Sequence, residues 1–219
     1  MNTANIRGII FDVDGVIADT TDFHYRAWLR LAEEENIPFS RETYFQQMAG
    51  TKREENLRVF TEGLDIDEAT KQAWMERKQS YYTEFRDQLA PKDVLPGVVR
   101  IIEEAKAANL KIGVGSASKN AREVLENLQL LNRFDAFCDG FIPSNSKPAP
   151  DIFLWVAGAL GLPPRNILVF EDSLAGVQAA RTGGFYVIGL NSRPLENAHA
   201  QVPSLADANL ADLMLLLAD

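Results

Sequence analysis

One cysteine, Cys138, stands in a chain of 219 residues, so no intramolecular disulfide can form. No apolar run approaches the ~20 residues that a helix needs to cross a bilayer. The opening MNTANIRG has neither the basic nor the apolar stretch of a secretory signal. Basic clusters are also missing: 22 Lys and Arg face 31 Asp and Glu, a formal charge of −9, which argues against binding nucleic acid or an anionic membrane by bulk charge. There is no internal repeat and no low-complexity segment. What is present is the balance of a globular protein, with 46% hydrophobic and 24% charged residues. The expectation is a cytoplasmic, monomeric protein with no nucleic-acid or membrane partner, large enough for one substantial core and a smaller appendage.

Short β-rich runs of the kind expected for buried parallel strands lie at residues 6–11, 111–115, 167–170 and 186–190. Between them, residues 98–108, 121–130, 152–160 and 174–181 carry helical periodicity. Such alternation predicts an α/β fold, a doubly wound parallel sheet. Residues 22–89 break the alternation with helical patterns only: Phe23, Ala27 and Leu31, then Ala69, Ala73, Tyr81 and Phe85, recur at helical spacings. An all-helical insert after the first strand reads as a cap. Pro91 and the Pro96-Gly97 pair mark the return to the core. The division expected is an α/β core of residues 1–18 and 92–219, with a helical cap of residues 19–91.

In an open parallel sheet, ligands bind outside the carboxyl ends of the strands. The residues expected there are Asp12 and Asp14, then Ser116, Ser118, Lys119 and Asn120, then Glu171 and Asp172. Lys147 lies in SNSKPAPD, where Pro148 and Pro150 keep it outside the next helix. Period-2 geometry points Asp12 and Asp14 at one ligand and Val13 away. Carboxylates gathered from separate strands repel unless a cation lies among them, and an all-oxygen set suits Mg2+. Ser116, read as opening a helix, and Lys147 offer donors to an anion. Together they form a clamp for a phosphoryl group, with Asp12 as nucleophile and Asp14 as general acid and base. Each piece has a plainer reading. Ser118 and Asn120, or Glu171 and Asp172, could only cap helices, Lys147 could be a solvated lysine, and His24 and Trp28 could only pack. The coincidence of all these sets at successive strand ends favours chemistry.

The set Asp12, Asp14, Ser116, Lys147, Glu171 and Asp172 resembles the haloacid dehalogenase superfamily, over nearly the whole chain. DGVIADTTDFHYRAW, GSASKN and SKPAPDIF are similar to its cap-bearing β-phosphoglucomutase-like branch. The resemblance implies Mg2+ held by Asp12, Asp172 and the backbone carbonyl of Asp14, with support from Glu171. It implies that His24 orients Asp14, that Thr20 and Trp28 lie near the cap hinge, and that Arg53 and Lys78 are cap ligands. Ser118, Lys119 and Asn120 would hold the phosphate that is not transferred. The cap loop departs from the branch: Ala49, Gly50, Thr51, Lys52, Arg53 and Asn56 stand where the branch has Lys-Gly-Val-Ser-Arg and a further Ser. The implied partner is a small phosphorylated sugar. The implied activity is a mutase acting between β-glucose 1-phosphate and glucose 6-phosphate, with a sugar-phosphate phosphatase as the alternative. A phosphoacceptor signalling module gathers similar residues, but it has no helical insert after its first strand.

Overall fold

The apolar runs expected as strands pair side by side, and two shorter segments join them at the edges. A computed structural model describes residues 5–142 and 145–217. Ser144 of the SNSK stretch and the first four residues of the opening segment lie outside the described residues. In chain order the elements are β1 (Gly8–Phe11), α1 (Thr20–Glu35), α2 (Arg41–Gln47), α3 (Arg53–Phe60) and α4 (Glu68–Arg86). There follow α5 (Val98–Ala107), β2 (Lys111–Gly115), α6 (Ala121–Asn127), β3 (Ala136–Cys138) and α7 (Asp151–Leu160). The last are β4 (Ile167–Glu171), α8 (Leu174–Thr182), β5 (Tyr186–Leu190), β6 (Ala200–Val202) and α9 (Leu210–Leu215).

All six strands are parallel, in the order β3-β2-β1-β4-β5-β6. The chain first builds outward from β1 on one side and then returns to build on the other. β1 is therefore central, with Gly8 in register with Lys111 of β2 and Ile167 of β4. Alternate residues of each strand feed opposite faces. Ile9 and Phe11, with Leu168 and Phe170, pack under α5, α6 and α9. Ile10, with Val169 and Val187, packs under α7 and α8. This is the doubly wound α/β sheet. β3 and β6 escaped the sequence reading because three residues are too few to show a period. Among the described residues no helix is long and apolar enough to cross a membrane, and Cys138 is a buried thiol.

Between β1 and α5 the structure is all-helical. α1 and α4 pack together over an aromatic core of Trp28, Phe60, Trp74 and Tyr82. The period read for α4 holds at Tyr81, which is buried, and at Phe85, which is partly buried, but fails in the first half: Ala69 and Ala73 are exposed, and Trp74, Met75 and Lys78 turn inward instead. Alanine carries little apolar area, so the larger rings decide which face turns inward. The two crossings between the sheet and this helical unit lie together. Ala18 bridges Val94 in antiparallel fashion, and the Leu95 N–H donates to the Ile17 carbonyl at 2.8 Å.

Gly97 opens α5 at φ +89°, and a Cβ there would fall 1.9 Å from the Leu205 carbonyl oxygen. The returning chain can pass under the 205–206 loop only as glycine. Gly97→Ala is expected to lower stability by about 2–3 kcal/mol, read as an earlier denaturation midpoint with an unchanged slope. An unchanged midpoint would show that the loop yields freely.

Candidate active site

β1 stops where its apolar run stops, and the next N–H, that of Asp12, donates to the Phe170 carbonyl of β4 at 3.0 Å. Asp12 is thereby fixed at the carboxyl end of the sheet, at the point where the strand order reverses. Val13 turns into the core while Asp12 and Asp14 both line one cleft. Gly15 then swings the chain away at φ +78°, and any Cβ there would sit 2.0 Å from an Asp172 carboxylate oxygen. The Asp172 carboxylate just after β4 and the turn after β1 come this close only because that side chain is missing.

Lys147 is buried, and its Nζ donates to Asp12 Oδ1 at 2.7 Å and to Glu171 Oε2 at 2.8 Å. The other Glu171 oxygen accepts from the N–H groups of Asp172 and Ser173, at 3.1 and 3.0 Å, and from the Ser173 hydroxyl at 2.8 Å. Ser173 in turn caps α8 through the Gly176 N–H. Glu171 is thus the last residue of β4 and a hub, while the Asp172 carboxylate accepts a long bond from Thr21 Oγ1, at 3.4 Å. Asp12, Glu171 and Asp172 each place an oxygen within 4.8 Å of the others. Burial, with the neighbouring Glu171 and Asp14 charges, pushes the Asp12 carboxyl up to about 8 despite Lys147. Burial and the charges of Glu171 and Asp12 hold Asp172 well above the usual carboxylate range. One ammonium leaves this group short of positive charge, and the all-oxygen donors that remain fit a hard divalent ion such as Mg2+.

Asp14 stands apart from that cluster. Its Oδ1 accepts from the Thr20 hydroxyl at 2.5 Å, and His24 Nε2 lies 3.9 Å from the same oxygen. Burial raises the Asp14 carboxyl and Thr20 opposes the rise. On its far side His24 meets Lys78, with Nδ1 2.8 Å from Nζ, and its ring stacks on Tyr82 at 4.0 Å. Burial and the charges of Lys78 and Arg53 keep the imidazole neutral. While Lys78 is charged it can only donate, so in that state Nδ1 accepts and the imidazole proton resides on Nε2, facing Asp14. Burial and Arg53 together lower Lys78 to about 7.

Across the cleft lie Arg53, Lys78, Ser118, Lys119 and Asn120. Lys119 pairs with Glu54 of α3, and the Gln79 amide donates to Asn120 Oδ1 at 2.8 Å. The cleft is therefore lined by carboxylates and cations together, with walls from both the sheet and the helical unit.

Not every expected residue reaches the cleft. Ser116, Lys147, Glu171 and Asp172 lie beneath or beside it, and Thr20 acts on Asp14 from within α1. Trp28 packs against Phe60 at 4.8 Å, with Lys78 Nζ 5.3 Å above its ring, and its indole lies in the helical core rather than on the cleft wall. α6 opens at Ala121, where the helical period was read to begin, but Ser116 does not stand at its amino terminus: a turn intervenes in which Ser116 Oγ accepts from the Ser118 N–H and Ser118 Oγ from the Asn120 N–H. Sequence reasoning missed Thr21, Tyr44 and Gln79. Gln79 follows Lys78 on α4 and was within reach of the same pattern, whereas Tyr44 carries no local signal.

A family model described as haloacid dehalogenase-like hydrolase matches residues 6–184. The chain is 35% identical to the β-phosphoglucomutase of Bacillus subtilis, over 94% of this chain and 92% of that one. It is 30% identical to the phosphorylated carbohydrates phosphatase of Thermotoga maritima, over 82% of each. A crystal structure of β-phosphoglucomutase from Clostridium difficile superposes with a TM-score of 0.90 at 33% identity, covering 97% of both chains. With a matching family model and the acid-and-lysine site at the switch point of its sheet, this chain belongs to the haloacid dehalogenase-like hydrolases.

Proposed function

We propose that the chain is a Mg2+-dependent mutase that interconverts β-glucose 1-phosphate and glucose 6-phosphate through a 1,6-bisphosphate. The observation that carries this reading is the mixed lining of one cleft, where the carboxylates of Asp12 and Asp14 share the walls with the cations Arg53, Lys78 and Lys119 and the amide of Asn120. A mutase must hold two phosphates at once, and a hydrolase needs only one anion site. The similarity to the Bacillus β-phosphoglucomutase supports it.

Mg2+, held by Asp12, Asp172 and the Asp14 carbonyl with Glu171 in support, would neutralise charge on the phosphoryl group in transfer. Asp12 attacks phosphorus, the bond from phosphorus to the sugar oxygen breaks, and Asp14 gives its proton to that oxygen. In the return step Asp14 takes the proton of the other sugar hydroxyl, which then attacks the phosphoryl group on Asp12. Lys147 and Ser116 stand beside Asp12 to receive phosphoryl oxygens. His24 holds Asp14, and Lys78 holds the His24 tautomer. Residues 19–91 act as a cap that closes by bending at the paired crossings near Ala18 and Val94, so that sugar rather than water meets the phosphorylated Asp12.

A second reading, a sugar-phosphate phosphatase, draws on the Thermotoga relative and on the cap loop. Thr51 there is spent on Met48 and Asn56, at 2.8 and 2.7 Å, and Ala49 lacks an ammonium. β-Glucose 1-phosphate, Mg2+ and a trace of 1,6-bisphosphate separate the two. Glucose 6-phosphate is expected to accumulate with little orthophosphate, and prompt orthophosphate without isomerisation would overturn the mutase. Asp12→Asn is expected to cost at least about a thousandfold in turnover with the fold intact by circular dichroism. Substantial remaining turnover would reject Asp12 as nucleophile.

Lys78 gives a pH signature. Below about 7 it is charged and above it is neutral, so kcat/KM for a sugar phosphate is expected to fall as pH rises through that value. Arginine stays charged. Lys78→Arg should remove the fall, and an unchanged inflection would assign it to another group.

A further inference from the structure

Tyr44 plays no part in the chemistry above, although it is placed as if it should. It sits on α2, 3% exposed, and lines the same cleft as Asp14, Arg53 and Lys78. Its ring is braced on two sides, by Tyr25 at 5.8 Å and by Phe45 edge-on at 5.2 Å. Its carbonyl accepts from the Met48 and Ala49 N–H groups, both at 2.9 Å, so α2 ends on it and passes directly into the loop that carries Arg53. The residue has little freedom. Its hydroxyl has no hydrogen-bond partner among the described residues, yet it is not one of the sealed orphans, which are Trp28 Nε1, Tyr82 OH and Glu123 Oε2. It therefore opens onto the cleft.

A buried hydroxyl left without a partner costs about 1–3 kcal/mol. Such a group is kept where a ligand completes it. Burial and the charges of Asp14, Asp172 and Asp22 hold this phenol well above its usual range. Tyr44 thus keeps its proton and cannot act as a base. It shares the cleft lining with Asp14 and Thr21 and is carried by the helical unit, whereas Lys147 and Ser116 belong to the α/β core. A phosphorylated sugar brought against Asp14 would meet this hydroxyl on the wall that the helical unit supplies.

We propose that Tyr44 is a substrate-contacting residue whose hydroxyl donates to an oxygen of the bound sugar phosphate beside Asp14, so that closure over the ligand adds a bond that closure over water alone does not. The inference rests on the sugar-phosphate reading and names the residue by which the helical unit recognises the ligand beside Asp14.

The test compares Tyr44→Phe, which keeps the ring and its packing, with Tyr25→Phe, which removes a hydroxyl from the neighbouring ring outside the cleft. Total consumption of β-glucose 1-phosphate, as isomer plus orthophosphate, is followed with Mg2+ and bisphosphate. Tyr44→Phe is expected to lose about tenfold in kcat/KM, the worth of one hydrogen bond to a charged or strongly polar oxygen. Tyr25→Phe should match wild type, and both variants should melt as it does. Tyr44→Phe within twofold of wild type, or an equal loss in Tyr25→Phe, would overturn the inference. Wild-type protein that consumes no sugar phosphate across a panel of hexose and pentose phosphates, while still hydrolysing acetyl phosphate, would instead sink the sugar-phosphate reading and the inference with it.

Discussion

Everything at the carboxyl end of the sheet depends on one buried ammonium. Lys147 reaches Asp12 on one side and Glu171 on the other, so a single cation ties the ends of β1 and β4 to the loop before α7. Removing it would leave two carboxylates in an environment where an unpaired charge costs several kcal/mol. The pair of acids in turn keeps the lysine charged: burial alone would lower it, and the adjoining Asp12 and Glu171 more than offset that. Asp14 and Asp172 receive no such partner. The site is built with its positive charge incomplete, which is the condition for taking up both a metal and the shifting charge of a phosphoryl group.

The sequence made the sheet and its acids legible because both are local. Apolar runs such as 111–115 and 186–190 need no distant partner to be recognised, and the residues that follow a strand are ordered by the strand itself. The phase of the first half of α4 was not legible, because Ala69 and Ala73 mark a helical period without supplying the area that decides which face is buried. The start of α6 at Ala121 was legible, but Ser116 was set at its amino terminus although a turn separates them, since that turn is held by hydroxyl-to-backbone bonds that leave no trace in hydrophobic pattern. Tyr44 was missed for another reason. Its place on the cleft arises from how α2 packs beside Tyr25, a tertiary fact with no neighbour in sequence to announce it.

Several polar groups of the cleft are already paired within the protein. Lys119 pairs with Glu54 and Gln79 donates to Asn120, and beside the cleft the Lys52 N–H donates to Ser146 Oγ at 2.9 Å, each contact joining the helical unit to the α/β core. An anion arriving at Lys119 or Asn120 would exchange partners rather than find bare groups. Such exchange lowers the gross gain on binding and sharpens selection, because a ligand with the wrong spacing breaks protein bonds that it cannot replace. These contacts are also among those that hold the helical unit to the α/β core.

The lengths of the outermost strands have a bearing on the life of the protein in a crowded solution. β3 and β6 form the two rims of the sheet, and each is three residues long. A row of unpaired backbone groups is an invitation to a strand from another molecule, and short rims keep that invitation small. The longer, more buried strands that would template aggregation, β1, β2, β4 and β5, are the ones placed inside, and the clustered acids lie at the ends of two of them.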